Sequence, residues 1–547
     1  MASNMLQRLA DSCPHPMSEQ NMALPVGLEL PPSQAKPGPS ANAKPEGITA
    51  AGTRTWLELL KWCFSFPAMF GVFLVGRVFY DTRHFFVDPD MWWHAQLGQN
   101  IVRTGHWPTA DPFSFTVGGT PWLAYEWLGD VAIGFAARFG WLGLDVFLIA
   151  LGSLVVLALY YFCSLRTRNS KAGFAVVGLM ASLAIGQFNL RPQMFGYLFI
   201  ILTLTILEFF RQGRTRALYF LPPLFLVWIN THGSWVVGMG IVTVTLLAGL
   251  FSFHKGSIEA QAWTPKQRRQ LELALLGSLV VIPITPYGTE LATYPFMVAS
   301  SLPLNLAYVM EWAPMPFNIL GGKFFLGLLI LAFLLQAIFH FSFRLHELAL
   351  ALFGTAMACI HLRFCMLFVP FFAPVLASMF ARWIPPYKRE IDKYVLNATL
   401  MAGVVFAVAW YFPNEQKLRA LTETRFPVRA VEYMKEHPVP GPMYNTYGFG
   451  GYLIRYYPEQ KTFIDGRGDL FELGGAFGDY IEISRMKPAA FAALKWNGIR
   501  TCLLERNEPL SVVLAQQPDW QAVYQDGTSI IYIRKDSLGT FAAQARP

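Results

Sequence analysis

The chain has 547 residues, of which 54% are hydrophobic and only 14% are charged, and its mean hydropathy is +0.36. Soluble domains carry about 25% charged residues, so this composition excludes a soluble globular protein and indicates a membrane protein with several spans. The net charge of +8 does not indicate a nucleic-acid partner, because the basic residues lie in short clusters between apolar runs.

The N-terminal segment over residues 1–53 differs from the rest of the chain and is rich in Pro, Ser, Ala and Asn. No apolar core follows a basic start, so the segment is not a signal peptide. Its composition predicts a disordered cytoplasmic tail. The Pro-rich stretch within it would serve as a tether or as a partner-binding segment, and tethers are the commoner of the two.

Apolar runs dominate residues 54–412, which we predict to be the transmembrane domain. A helix needs about 20 apolar residues to cross the hydrocarbon core of a bilayer. The runs that approach this length are 56–79, 141–163, 172–189, 194–210, 217–230, 234–253, 271–286, 324–341, 345–361, 364–381 and 394–412. The sequence therefore predicts an α-helical polytopic membrane protein with about eleven transmembrane helices.

Basic residues predict the orientation of these spans. Loops on the side of the N-terminus carry 15 Lys and Arg residues, and loops on the opposite side carry 5. Because positively charged loops stay in the cytoplasm, the N-terminus is predicted to be cytoplasmic. The loop between the first two spans and the tail after residue 412 are then extracytoplasmic.

The loop over residues 80–127 holds the densest group of polar and aromatic residues in the chain. Such a group cannot lie in lipid, so we predict a catalytic loop at the membrane surface that acts on a lipid-linked polar substrate. Within it, Asp88 and Asp90 flank Pro89, which favours an extended chain. The two carboxylates are candidates to bind a divalent metal, Mg²⁺ or Mn²⁺, or to supply a catalytic base; ordinary surface carboxylates are the alternative.

His94 follows Asp90 by four residues, so a helix that begins at Asp90 would place both side chains on one face. A metal ligand, a proton shuttle and a phosphate hydrogen-bond donor all fit this His, and so does a purely structural role. Trp92 and Trp93 lie beside it and are candidates to contact substrate near the headgroup level. Asp111, further along the loop, is a candidate substrate-binding residue.

Other ionisable groups gather at the predicted outer ends of spans. Arg191 and Arg363 are candidates to bind the phosphate of a lipid-linked substrate, because a guanidinium fork matches phosphate oxygens. The alternative is an Arg that snorkels to the interface. His232 and Glu311 are further candidates for substrate binding. Charged groups at membrane depth usually face a protein or water-filled interior, so together these residues predict one outward-facing polar cavity.

The tail over residues 413–547 is more charged than the transmembrane domain, and its pattern predicts a small extracytoplasmic α/β domain. We predict a helix over residues 425–437 and strands at TFIDGR, CLLE and SIIYIR. The Gly- and Tyr-rich segment 444–467 either closes over an acceptor or forms a bulged strand with a buried pair of Asp465 and Arg467.

The first-loop motif Asp90-Met-Trp-Trp-His94 resembles the Asp-x-aromatic-aromatic-His of archaeal oligosaccharyltransferase catalytic subunits, which belong to the GT-C glycosyltransferases. The following segment 105–113 resembles their continuation. The nearest resemblance is to uncharacterised bacterial membrane proteins that carry DPDxWWH. By this resemblance Asp90 would be the catalytic or metal-binding carboxylate. In the tail, Tyr444-Asn-Thr-Tyr-Gly448 stands where those subunits carry Trp-Trp-Asp-Tyr-Gly, and Thr446 replaces the Asp that recognises the protein acceptor.

The resemblance implies a GT-C-like fold and a glycosyltransferase in a bacterial plasma (inner) membrane. It would move a sugar, with inversion, from a polyprenyl-phosphate donor to an unknown glycan, lipid or protein acceptor at the outer face. Membrane lipid is the other expected partner, and nucleic acid is not expected. Two alternatives from other classes are a transporter or flippase of a polar or lipid-linked substrate and a non-catalytic membrane scaffold. Transporters commonly carry inverted repeats, and none is visible in the sequence.

Overall fold

In a computed structural model of the protein, the described residues are 56–83 and 88–539, without the side chains of 299–301. The tail predicted for residues 1–53 lies outside them. In chain order the helices are α1 (Trp56–Cys63), α2 (Phe66–Thr82), α3 (Asp90–Thr104), α4 (Trp127–Ala136), α5 (Gly140–Thr167), α6 (Ser170–Ile185), α7 (Gln193–Arg211), α8 (Leu221–Ile229), α9 (Trp235–Ala248), α10 (Pro265–Val280), α11 (Glu290–Ser301), α12 (Pro303–Tyr308), α13 (Leu320–Phe339), α14 (Leu345–Ile360), α15 (Cys365–Phe380), α16 (Tyr394–Tyr411), α17 (Glu415–Glu423), α18 (Val428–Glu436), α19 (Gly450–Tyr456), α20 (Gly468–Leu473), α21 (Ala476–Ser484), α22 (Ala490–Trp496) and α23 (Pro509–Leu514).

The strands form two small sheets. Their bounds are β1 (Phe253–Lys255), β2 (Ile258–Ala260), β3 (Phe343–Arg344), β4 (Met443–Asn445), β5 (Thr501–Glu505), β6 (Trp520–Gln525) and β7 (Ser529–Arg534). Strands β1, β2 and β3 lie in that order within the membrane domain, and the tail sheet has the order β4-β5-β7-β6. In the tail sheet β4 is parallel to β5, and the other neighbours are antiparallel.

Every predicted span coincides with a helix or with the bent pair α1 and α2. Among the described residues, five helical segments are long and apolar enough to cross a membrane, and the α1–α2 pair, bent by 46°, is a sixth candidate. The five are Trp127–Thr167, Gln193–Arg211, Leu320–Phe339, Leu362–Phe380 and Tyr394–Tyr411. Four further apolar helices are shorter. The chain is therefore an α-helical multi-pass membrane protein, and the count of eleven spans stays a prediction.

Two glycines bring the first-loop helix α3 into backbone contact with α4. A β-carbon at Gly98 would overlap the carbonyl of Asp130, and one at Gly134 would overlap the backbone of α3. Because neither glycine carries a side chain, the two helices approach closely enough for His94 to reach Asp130. Helix α3 begins at Asp90, the start that places His94 on the same face as Asp90, and it ends before Gly105, whose φ of +69° suits a left-handed helix cap.

The tail forms the predicted α/β domain, with one correction. The helix over 428–436 and the strands at CLLE and SIIYIR are confirmed. The strand predicted at TFIDGR is wrong, because its backbone is bound mainly by a side chain rather than by a neighbouring strand. Asn445 accepts from the N–H of Phe463 at 2.8 Å and donates to the carbonyl of Ile464 at 2.8 Å.

The tail packs directly on the first loop. The backbone N–H of Phe115 donates to the carbonyl of Thr462 at 3.0 Å, and Arg455 donates to the side chains of Gln96 and Gln99 on α3. A β-carbon at Gly451 would overlap the carbonyl of Pro89. These contacts hold residues 463–469 over the N-terminal end of α3, where the candidate site lies.

Candidate active site

A polar cavity of about 200 Å³ lies between the N-terminal end of α3, the start of α7, the segment 302–312 and the tail. Its ionisable residues come from distant parts of the chain. They are Asp90, His94, Tyr125, Glu126, Arg191, His232, Glu311, Arg363, Tyr447, Arg467 and Asp469. The structure thus brings together most of the residues that the sequence singles out.

Arg191 joins three carboxylates at one wall of this cavity. Its Nε lies 2.6 Å from Asp88 Oδ2, one terminal nitrogen lies 3.0 Å from Asp90 Oδ2, and the other lies 3.0 Å from Glu311 Oε1. The other oxygen of Asp88 accepts from the backbone N–H of Asp90 at 2.8 Å. Arg191 lowers the pKa of Glu311, so Glu311 stays ionised near neutral pH.

Asp90 differs from its two neighbours in this cluster. Burial raises the pKa of Asp90 to about 7, against the opposing effect of Arg191. Its Oδ1 is buried and has no hydrogen-bond partner among the residues that the structure describes. Near neutral pH Asp90 therefore exchanges a proton readily, and the residue lines the cavity. Both properties suit a catalytic base.

Glu126, another carboxylate that lines the cavity, lies between two imidazoles. His232 Nε2 is 3.3 Å from Glu126 Oε1, and His94 Nε2 is 3.9 Å from Glu126 Oε2. His94 Nδ1 is held by Asp130 at 2.5 Å. The backbone N–H of Ser234 donates to His232 Nδ1 at 3.1 Å, so the proton of the neutral ring is on Nε2 and points at Glu126.

Burial sets the charge of this group. It raises the pKa of Glu126 to about 8, lowers that of His232 to about 3 and lowers that of His94 well below its ordinary value. Near neutral pH both rings are neutral and Glu126 is mostly protonated. Sequence reasoning places Glu126 in the loop but misses it as a site residue. Glu126 directly precedes the apolar run that begins at Trp127, and this position at the end of a span would have indicated a site residue.

Arg363 stands where the polar cavity meets an apolar groove. Its guanidinium lies 4.3 Å from the centre of the Trp312 ring. In the described part of the chain it has no ion pair or hydrogen bond. The groove has a volume of about 250 Å³ and is lined by apolar side chains of α7, α9, α11 and α15 together with Arg363, Glu126 and His232. Arg363 is thus a cation available to a ligand that occupies both spaces.

The tail supplies the cavity wall that faces Asp90. Arg467 is buried, binds Asp465 through two nitrogens at 2.7 Å each, and binds Asp111 at 2.7 Å. The buried Asp465–Arg467 pair is therefore present, and the same segment also covers the cavity. Asp469 hydrogen-bonds Tyr294, and burial raises the pKa of Asp469.

Three predicted site residues lie outside the cavity lining. Asp88 lies behind Arg191, and Asp111 lies behind Arg467. Trp92 faces away from the cavity and packs edge-on against Phe426 and two tail tyrosines. Trp93, by contrast, lines the cavity. Of the residues that sequence reasoning missed, Arg467 and Asp469 come from the tail and had no local signal that linked them to the loop.

The pair Asp88 and Asp90 does not fit a divalent metal in this arrangement. Arg191 already occupies the space between their carboxylates and supplies the positive charge there. Over residues 56–83 and 88–539, no group of three or more His, Cys, Asp or Glu is placed to hold a metal ion.

Several solved membrane-protein structures resemble this chain in fold. The archaeal oligosaccharyltransferase AglB from Archaeoglobus fulgidus, in complex with an inhibitory peptide and a dolichol-phosphate, aligns with 84% of this chain and 73% of its own at 10% identity and a TM-score of 0.45. ArnT from Cupriavidus metallidurans, bound to undecaprenyl phosphate, aligns with 91% of this chain and 100% of its own at 14% identity and a TM-score of 0.44. The arabinofuranosyltransferase AftD from Mycobacteria aligns with 89% of this chain and 40% of its own at 11% identity and a TM-score of 0.48.

These likenesses concern the fold alone. No protein-family model matches the chain, and no curated protein matches it in sequence.

Proposed function

We propose that the protein is a membrane glycosyltransferase that moves a sugar from a polyprenyl-phosphate donor to an acceptor at the outer face of a bacterial plasma membrane. The observation that carries the proposal is the position of Arg363. It is free of ion pairs within the described residues and lies at the junction of the polar cavity and the apolar groove. A molecule with a phosphate between a sugar and a long apolar chain fits that junction.

In this proposal the three parts of the donor bind different surfaces. The phosphate binds Arg363, since a guanidinium fork matches its oxygens. The polyprenyl chain follows the apolar groove along α7 and α9, and the sugar lies in the polar cavity between Asp90 and Glu126. The acceptor enters below tail residues 466–469.

The reaction proposed is an inverting displacement at the sugar C1. Ionised Asp90 accepts the proton of the acceptor hydroxyl, whose oxygen forms the new bond to C1. The bond from C1 to the phosphate oxygen breaks, and its electron pair leaves with the polyprenyl phosphate. Arg363 stabilises the charge that develops there, and protonated Glu126 donates a hydrogen bond on the same side. Arg191 holds Asp90 in place through their ion pair and supplies the positive charge that a divalent cation would otherwise provide.

The test is sugar release from a panel of radiolabelled polyprenyl-phosphate sugars by the purified protein in lipid. We expect turnover with wild type, loss of turnover with Asp90→Asn, and no change on addition of EDTA. Asp536→Asn is the matched control, because Asp536 pairs with Arg534 at the surface of the tail. Equal turnover of wild type and Asp90→Asn would remove the assignment of Asp90. An absence of turnover with intact lipid binding would favour a transporter or a scaffold.

A further inference from the structure

A second cavity lies at the other end of helix α7. The helix begins beside the polar cavity at Gln193 and ends at Arg211, and its 19 residues give a length of about 28 Å, close to the thickness of a bilayer core. The second cavity has a volume of about 420 Å³. It lies between the ends of α7 and α9, the β1–β2 hairpin and the first residues of α14. It is therefore separate from the candidate active site.

Ion pairs beside this cavity leave one cation unpaired. Arg166 binds Glu347 through two nitrogens at 2.5 and 3.0 Å, and Arg344 binds Glu208 at 3.1 Å. Arg211 lines the cavity, and its Nε is buried without a hydrogen-bond partner among the described residues. Arg166 and Arg344 thus each have a carboxylate partner, whereas Arg211 has no ion pair among the described residues.

The Arg211 guanidinium is held in position by an aromatic ring. It lies 4.4 Å from the centre of the Trp263 ring. That ring is fixed by a hydrogen bond from its Nε1 to the carbonyl of Thr245 at 3.2 Å and packs against Gly249, where a β-carbon would overlap it. Stacking leaves the edge of the guanidinium, which carries the N–H groups, free to bind an anion.

Two further donors face the same cavity. The side chain of His346 is 8% exposed and has no hydrogen bond within the part of the chain that the structure describes. His346 is the second residue of the 16-residue helix α14, whose start has no side-chain cap. The first N–H groups of a helix and its dipole favour an anion. One carboxylate, Glu259, also lines the cavity, but its residue is exposed to solvent.

Exposed apolar residues border this cavity. Leu250, Phe251 and Phe253 follow α9 directly and are 43%, 54% and 41% exposed. Large apolar side chains at the end of an apolar helix suit the headgroup region of a membrane. A cavity bordered by such side chains suits a position near lipid headgroups.

We propose that Arg211, His346 and the N-terminus of α14 form a second site that binds a phosphate group at the membrane surface opposite the candidate active site. The phosphate belongs to an anionic lipid headgroup or to a free phosphate ion. The site binds phosphate through the charge of Arg211 and through N–H donors. This proposal does not depend on the proposed transferase activity.

Hydrogen exchange measured by mass spectrometry tests this site and locates it. The full chain is placed in phosphatidylcholine nanodiscs, and inorganic phosphate is added. In a second arm, phosphatidylglycerol is mixed into the nanodiscs. We expect slower exchange in peptides that cover residues 249–263 and 343–350. Slowing by inorganic phosphate indicates that the free ion suffices, and slowing by phosphatidylglycerol alone indicates the lipid headgroup.

Two variants make the result specific. Arg211→Gln should abolish the slowing. Arg214→Gln should retain it, because Arg214 is exposed at the same end, stacks on Phe209 at 4.9 Å and does not line the cavity. If Arg211→Gln does not fold, His346→Ala should weaken the same effect. Unchanged exchange in the wild type in both arms, or slowing that persists in a folded Arg211→Gln protein, would overturn the proposal.

Discussion

The carboxyl group of Asp90 packs directly against Gly466, and a β-carbon at position 466 would overlap Asp90 Oδ1. We expect Gly466→Ala to push the carboxylate away from Arg191 and from its place at the cavity wall. A displacement of about 1 Å in a catalytic group can reduce turnover by about 100-fold. The measurement is the rate of sugar transfer from the best donor of the panel.

Gly478→Ala is the matched control for this change. Gly478 lies in the tail helix α21, and a β-carbon there would meet no atom within 4 Å. It should leave turnover unchanged and stabilise the helix slightly. Full activity of Gly466→Ala with an unaltered melting temperature would show that the Asp90–Gly466 contact does not position the carboxylate.

Above about pH 6.5, where histidines are neutral in both the folded and the unfolded state, the stability of the protein should fall as pH rises to about 8, because two buried carboxyl groups hold their protons in the folded state. The folded pKa of Asp90 is about 7 and that of Glu126 about 8, both above their ordinary values. A raised folded pKa contributes stability below the unfolded pKa, and that stability is lost as pH rises through the folded value. Each such group contributes a slope of about 1.4 kcal/mol per pH unit in between.

Glu126→Gln isolates one of these groups. The amide cannot ionise, so the melting temperature of the variant should fall less than that of the wild type between about pH 5 and pH 8, the interval between the ordinary pKa of Glu and its folded value of about 8. Thermal unfolding in detergent at a series of pH values measures this. Glu459→Gln, at an exposed position, should follow the wild-type curve. Parallel curves for Glu126→Gln and the wild type would contradict a protonated Glu126.

Part of the candidate active site can be predicted from the sequence, through helical periodicity and the positions of the apolar spans. Once a helix begins at Asp90, His94 lies on the same face, and Trp92, two residues on, points to another face. Trp92 therefore packs against the tail and does not line the cavity, because it lies on a different face of α3 from Asp90 and His94. Arg191 and Arg363 line the same cavity because both lie at the same end of apolar spans.

The tail contribution could not be predicted in this way. Arg467 and Asp469 reach the cavity only because β4, α19 and the first loop pack together over more than 300 positions of sequence separation. Nothing in its local sequence distinguishes TFIDGR from a strand, so the sequence predicts a strand there. The side chain of Asn445, bound to Phe463 and Ile464, replaces the neighbour that a strand would need.

Arg363 should matter for donor affinity more than for the folding of the chain. In Arg363→Gln the phosphate would lose charge-assisted hydrogen bonds worth about 1.5–3 kcal/mol, so donor binding should weaken by roughly 10- to 100-fold. Titration of the purified protein with a polyprenyl phosphate measures this. Arg485→Gln is the control, because Arg485 also stacks on an aromatic ring, that of Tyr308 at 4.7 Å, but outside the cavity. Equal affinities of the two variants would contradict a phosphate at Arg363.

Arg467 should be required for the stability of the tail against the first loop. It is 2% exposed and binds Asp465 and Asp111, so Arg467→Met leaves two buried carboxylates without their partner. Breaking a buried ion pair in this way costs about 3–5 kcal/mol. Arg534→Met removes the exposed pair with Asp536 instead and should change the stability much less, because water screens an exposed ion pair. Denaturant unfolding followed by limited proteolysis of the tail compares the two variants. Equal stability would mean that the packing of Phe113 and Trp122 around position 467, and not its charge, holds the tail over the cavity.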